Sequence, residues 1–201
     1  AALRCGPDCY LTGYFQHEGY FRGIAADLRQ IYGRTAALGR ESEAFVADCA
    51  NEQTVAVHLR RGDYQAVPAY RDYFGLCGPA YVRRALQALR SRLSPGRLVF
   101  FSDDLDWVEQ QVLPALAPDI AGAAVTLARW TRDRGPLEDL LLMSRMRHNI
   151  IANSTFSWWS AWLNDNPQKL VFAPHPWTLK VDADIVPANW IRVANLPEPH
   201  P

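Results

Sequence analysis

Short apolar, β-branched runs recur along this chain, each followed by a polar turn and a stretch with helical spacing. Thr54-Val55-Ala56-Val57-His58-Leu59 reads as a buried strand that Gly62-Asp63 breaks. Leu98-Val99-Phe100-Phe101 is a second strand, ending at Ser102-Asp103-Asp104; residues 124–127, 148–152 and 169–172 supply three more. The runs are almost continuously hydrophobic, as strands covered on both faces are. Between them, Tyr81, Val82, Leu86, Leu89 and Leu93 share one face of a helix over residues 79–93, leaving Arg83, Arg84, Arg90 and Arg92 for solvent. Residues 106–116 form a helix behind Asp103 and Asp104, acids suited to a helix N-terminus. Another opens at Pro136 and runs to Arg147, with Leu137, Leu140, Leu141 and Met143 inward. Residues 157–163 carry Trp158, Trp159 and Trp162 at helical spacing, which assigns them to core packing. Strand alternating with helix predicts a doubly wound, Rossmann-type α/β fold: a parallel sheet with helices on both faces.

The first fifty residues contain no convincing strand and read as mostly helical, with an amphipathic stretch from Gly19 to Tyr32. Residues 1–50 are therefore expected to be part of a second lobe. The α/β domain covers residues 51–201, with the boundary near Asn51.

Composition narrows the function. Twenty-one basic and twenty-one acidic side chains in 201 residues cancel, which argues against a nucleic-acid binder held by counterion release or a polybasic membrane binder. An anionic ligand must then be met by a local cluster of charge. The cations are arginines except Lys169 and Lys180. Cys5, Cys9, Cys49 and Cys77 lack zinc spacing, so free thiols are expected, with a Cys5–Cys9 disulfide as the alternative. No signal peptide and no span of ~20 apolar residues is visible, which gives a cytoplasmic expectation with at most peripheral membrane association.

Ligands in open α/β sheets sit outside the carboxyl ends of the strands. Three such ends are polar here. The first carries His58, Arg60, Arg61 and Asp63; the second Ser102, Asp103 and Asp104; the fourth Asn153, Ser154 and Thr155, with Ser157 opening the next helix. This set suits a nucleoside diphosphate carrying a sugar. Arginine grips a diphosphate through paired hydrogen bonds, and hydroxyls with backbone N–H groups at a helix start cradle phosphate. Asp139 can accept two donors from a guanine edge. Asp63 is the candidate base for the acceptor proton, with turn chemistry as its alternative. Asp103 and Asp104 have helix capping as theirs.

His58-Leu59-Arg60-Arg61-Gly62-Asp63-Tyr64 resembles the H-x-R-R-G-D-Y motif of the α-1,2-fucosyltransferases of glycosyltransferase family 11. The similarity takes in Tyr10-Leu11-Thr12-Gly13-Tyr14-Phe15-Gln16 with Tyr20-Phe21, then Phe101-Ser102-Asp103-Asp104-Leu105-Asp106-Trp107. It continues through Asp139-Leu140-Leu141-Leu142-Met143-Ser144, residues 149–163, and Ile185-Val186-Pro187-Ala188-Asn189-Trp190, in family order. What the resemblance implies is a two-lobed GT-B-like fold. The reaction implied is transfer of L-fucose from GDP-fucose to a galactosyl hydroxyl of a glycan, with inversion. Arg60 would contact the β-phosphate and stabilise departing GDP, and His58 and Asp139 would read guanine. Arg61, Asp103, Asn153, Ser154, Thr155 and Ser157 would complete the GDP-fucose site. No metal and no other cofactor is expected, since arginine takes the cation's place. The family's opening strand and G-G-L-G-N-Q segment have no counterpart here, implying an N-terminally truncated bacterial member. Two rival readings are a non-catalytic, Trp-rich glycan-binding module and an inactive fragment that still binds GDP.

Overall fold

The computed structural model describes residues 17–34, 37–181 and 185–196, with isolated positions 8, 10, 12 and 15 ahead of them. Cys5, Cys9 and most of the Tyr10–Gln16 motif lie outside the described residues. Two 3-10 turns (Glu18–Tyr20 and Arg22–Ile24) lead into α1 (Ala25–Arg34) and α2 (Arg40–Asp48). Then come β1 (Thr54–Leu59), α3 (Gly62–Ala66), α4 (Pro68–Phe74), α5 (Pro79–Arg90) and β2 (Arg97–Ser102). Helices α6 (Leu105–Trp107) and α7 (Leu113–Ala115) are joined by a π-helical segment, Val108–Val112. They are followed by α8 (Ala117–Ile120), β3 (Ala124–Leu127) and a 3-10 stretch, Arg129–Arg134. The chain closes with α9 (Pro136–Arg145), β4 (His148–Ile150), α10 (Thr155–Leu163), β5 (Val171–His175) and β6 (Ile191–Ala194).

The strands form one parallel sheet in the order β3-β2-β1-β4-β5-β6. The α/β reading of the sequence is therefore correct. Strand periodicity explains how the layers are covered. Val55, Val57 and Leu59 of β1 join Leu98 and Phe100 of β2 in a core with Tyr81, Leu86 and Leu89 of α5. Ala56, Val99 and Phe101 point the other way, onto Leu141, Leu142 and Met143 of α9. His58 is two residues from Ala56 and so emerges on the α9 face.

The α10 side of the sheet is aromatic. Trp158, Trp162, Trp177 and Trp190 are buried together, and Phe21, Ala25 and Leu28 from the α1 region close over them. The Trp158 indole N–H donates to the Ile185 carbonyl at 2.8 Å, so its one polar atom is satisfied. On the opposite side, the buried Tyr81 hydroxyl sits 2.7 Å from the Ile151 carbonyl, directly after β4, and 3.1 Å from that of Phe172 in β5.

Three local expectations need correction. Leu137, expected to point inward, is 55% exposed because it lies in the first turn of α9, ahead of the buried Leu141-Leu142-Met143. Gly62-Asp63 ends β1 by opening a helix rather than a simple turn. Ile191–Ala194 adds an edge strand that the apolar-run pattern did not show, because only Val193 in it is buried.

Candidate functional site

In the strand order 3-2-1-4-5-6 the chain leaves β1 toward one side of the sheet and β4 toward the other. At this switch point lies a cavity of about 440 Å³ lined by His58, Arg60, Asp63, Tyr64, Ser102, Asp103, Pro136, Asp139, Ser154, Thr155 and Phe156. Three strand ends and the first turn of α9 thus converge, and seven of the residues expected from sequence line one cavity.

The mouth is a lattice of ion pairs. Arg60 donates Nε to Asp63 Oδ1 at 3.0 Å, its Nη2 lies 2.8 Å from the same oxygen, and Nη1 lies 3.1 Å from Asp103 Oδ2. Asp103 Oδ1 accepts the Arg61 backbone N–H at 3.0 Å, so this one carboxylate ties the β1 loop to the end of β2. Gly62 makes this possible: a Cβ there would stand 2.6 Å from Asp103 Oδ2. Arg61 turns away, pairing with Asp104 at 3.4 Å and lying 4.6 Å over the Trp107 ring. Asp104 in turn caps α6 by accepting Trp107 N–H at 3.0 Å. Arg61 and Asp104 therefore brace the loop from outside the cavity.

The floor is different in kind. His58 is buried, tilted against Phe156 with ring centroids 5.7 Å apart, and its Nδ1 has no hydrogen-bond partner. Burial drives its pKa down to about 4, with Asp103 opposing and Arg60 reinforcing the shift, so the imidazole is neutral at pH 7. Asp139 Oδ1 is likewise buried without a partner. Burial raises the Asp139 carboxyl above its ordinary value, against a hydrogen bond from Thr131. Its neighbour Glu138 shows the contrast, since both its oxygens accept the Gly39 N–H at 2.9 and 3.3 Å and Arg134 lies 3.4 Å away. One carboxylate is spent on structure, while the adjacent residue lines the cavity and keeps one buried carboxylate oxygen without a partner.

The third wall is the start of α10. Ser154 is its N-cap residue yet makes no side-chain capping bond, so the first-turn N–H groups remain available where Ser154, Thr155 and Phe156 line the cavity.

Besides Arg61, two more expected residues do not reach the cavity by their side chains. Asn153 Nδ2 donates to the Phe74 carbonyl at 2.7 Å and lies 3.3 Å from that of Trp177, while Cys77 Sγ donates to its Oδ1 at 3.4 Å. The fully buried Ser157 hydroxyl folds back onto the Ala152 and Ser154 carbonyls, each at 3.2 Å. Sequence placed these polar residues at the right strand end, but not the direction of their side chains. Tyr64 and Phe156, by contrast, line the cavity without having been singled out. Tyr64 was legible as the last residue of the H-x-R-R-G-D-Y motif.

A parallel sheet with a polar cavity at its switch point is the architecture in which α/β proteins bind nucleotides. The chain matches Glycosyl transferase family 11 over residues 1–193, and it belongs to that family. It is 30% identical over 187 residues to an alpha-1,2-colitosyltransferase of Escherichia coli, covering 90% of this chain and 61% of that protein. It is 32% identical over 165 residues to the galactoside alpha-(1,2)-fucosyltransferase 1 of Homo sapiens, covering 78% and 43%. Against the O-antigen biosynthesis glycosyltransferase WbnK of Escherichia coli the identity is 33% over 129 residues, covering 64% and 40%. The matches thus span from 40% to 61% of these relatives' lengths. Among the described residues, no helix is long and apolar enough to cross a membrane.

Proposed function

We propose that this chain is the donor-binding part of an inverting α-1,2-fucosyltransferase that uses GDP-fucose, a galactose-terminated acceptor and no metal. Residues 51–201 hold the donor, and residues 1–50 belong with the acceptor-side lobe. The observation that carries the reading is the pairing of Arg60 at the cavity mouth with two unpartnered polar atoms, His58 Nδ1 and Asp139 Oδ1, at its floor.

The diphosphate lies toward Arg60 and the α10 N-terminus, and guanine lies toward Asp139. A carboxylate accepts from both N1–H and the exocyclic amine of guanine, and adenine offers no such pair. In transfer, the acceptor hydroxyl oxygen bonds to the anomeric carbon as the bond from that carbon to the β-phosphate oxygen breaks. GDP departs with the bonding electrons, Arg60 offsets the charge that develops on it, and Asp63 receives the acceptor proton. Both guanidinium contacts to Asp63 end on Oδ1.

Base preference tests the reading. Calorimetric titration of GDP, ADP and UDP should rank GDP first by about ten- to a hundredfold, since hydrogen bonds to a charged group contribute about 1.5–3 kcal/mol. Asp139→Asn should collapse that preference. ADP binding as tightly as GDP would overturn the guanine assignment. The rival glycan-module reading draws no support from the tryptophans, four of which are core residues.

A further inference from the structure

A second cavity of about 570 Å³ adjoins the nucleotide pocket, and Tyr64 and Thr155 belong to the walls of both. Its other side is α4, which contributes Tyr70, Tyr73 and Phe74, and its floor reaches Trp177. We propose that this cleft seats the terminal galactopyranose ring of the acceptor glycan, an assignment that rests on the transferase reading above.

The chemistry of the lining separates the two cavities. The nucleotide pocket is lined by Arg60, Asp63, Asp103 and Asp139, whereas the residues lining the cleft are all uncharged. A neutral ligand fits the second and a phosphorylated one does not. Phe74 sits at the centre of an aromatic cluster. Tyr64 stacks on it at 4.6 Å with ring planes 9° apart, Tyr73 meets it edge-on at 4.8 Å, and Tyr70 does so at 6.2 Å. Tyr70 is 46% and Tyr73 38% exposed, and both line the concavity. A pyranose is the complementary shape. One of its faces is a patch of C–H bonds that packs on aromatic rings, and its rim is hydroxyls that bond with phenols. The volume lies within the ~300–1,000 Å³ usual for small-ligand sites.

The cleft is held in shape before any ligand arrives. Asn153 Nδ2 bonds the carbonyl that ends α4, the Tyr64 hydroxyl donates to the Asn153 carbonyl at 3.2 Å, and Leu179 N–H donates to the Tyr73 carbonyl at 2.8 Å. Gly75, at φ 70°, turns the chain out of α4 directly after Phe74. Such preorganisation lowers the ordering cost of binding a weakly held, polar ligand. Asp63 lines the neighbouring pocket and directly precedes Tyr64. A ring seated against Tyr64 therefore brings its hydroxyl rim to the boundary where the proposed base stands.

The test titrates GDP and lactose separately into the full 201-residue chain, with binding followed by calorimetry and heteronuclear NMR. Four proteins are compared: the wild type, the cleft variants Tyr70→Ala and Tyr73→Ala, and Arg60→Ala. Thermal melts confirm that each variant is folded. Tyr70→Ala is expected to weaken lactose about tenfold or more while leaving GDP within about twofold; Arg60→Ala should do the reverse. Wild-type chain that binds GDP but takes no lactose up to ~50 mM would overturn the cleft assignment alone. So would lactose affinity unchanged in both tyrosine variants. Lactose binding that depends on Tyr70, without any GDP binding, would keep the cleft and sink the nucleotide reading. GDP affinity lost in Tyr70→Ala would show the cleft to be a base-stacking site instead.

Discussion

At the mouth of the switch-point cavity, Arg60 and Arg61 are held by Asp63, Asp103 and Asp104, with side chains from 25% to 43% exposed. At its floor, His58 and Asp139 each bury a polar atom that bonds to nothing in the protein. Exposed ion pairs contribute only about 0–1 kcal/mol each, so the mouth gains little stability from its lattice. What it gains is geometry: the guanidinium of Arg60 is fixed between two carboxylates. The floor gives stability up, since an unsatisfied buried polar group costs about 1–3 kcal/mol. A ligand that bonds both atoms recovers that cost. One end of the cavity thus holds its charge in fixed pairs, and the other holds buried polar atoms without partners.

The largest test of this contrast is Arg60→Ala. Losing charge-assisted bonds of about 1.5–3 kcal/mol should weaken GDP up to about a hundredfold in calorimetry, with little change in melting temperature. A large fall in melting temperature with GDP affinity kept would mean that the mouth is structural after all.

The floor can be read through pH. Burial holds His58 at about 4 in the folded protein, whereas the unfolded chain takes up that proton near its ordinary 6.5. Between those values the unfolded state binds more protons, so stability is full above about 6.5 and is lost as pH falls toward 4, by of order 3 kcal/mol. Asp139 works in the opposite sense. Its raised pKa contributes stability when protonated that is lost as pH rises through that value. Urea denaturation of wild type and His58→Phe from pH 7 to 4.5 isolates the histidine, and the variant should lose less stability on acidification. Matching slopes would remove His58 as the source.

The smallest expected effect sharpens the difference between two adjacent arginines. Arg61→Ala removes a brace on Asp104 and Trp107 rather than a cavity-lining group, so GDP should weaken by no more than about threefold, against the loss for Arg60→Ala. Equal losses in the two variants would place Arg61 on the ligand.

The sheet was legible because its interior strands are apolar on both faces and leave a continuous run in the sequence. Ile191–Ala194 was not, because Arg192 interrupts the run and leaves no continuous apolar stretch. The switch-point residues were legible for a related reason: polar groups directly after buried strands have few places to be except the rim. Rotamer and partner leave no such trace. Asn153 and Thr155 stand two residues apart with similar polarity, yet Asn153 spends its amide on backbone carbonyls and borders only the second cavity, whereas Thr155 lines both. The α4 cleft was also hidden, since Tyr70, Tyr73 and Phe74 acquire a common surface only when α4 packs against the ends of β4 and β5.

Gly62 opens α3, where helix propensity would favour alanine. The site opposes that gain. A Cβ there would stand 2.6 Å from Asp103 Oδ2 and force aside the carboxylate that fixes both the Arg60 guanidinium and the Arg61 backbone. The glycine of the R-R-G-D sequence thus acts through the room it leaves and not through backbone freedom. Engineering this protein for heat resistance by the usual glycine-to-alanine exchange would, at this one position, be expected to trade a firmer helix for a misplaced arginine.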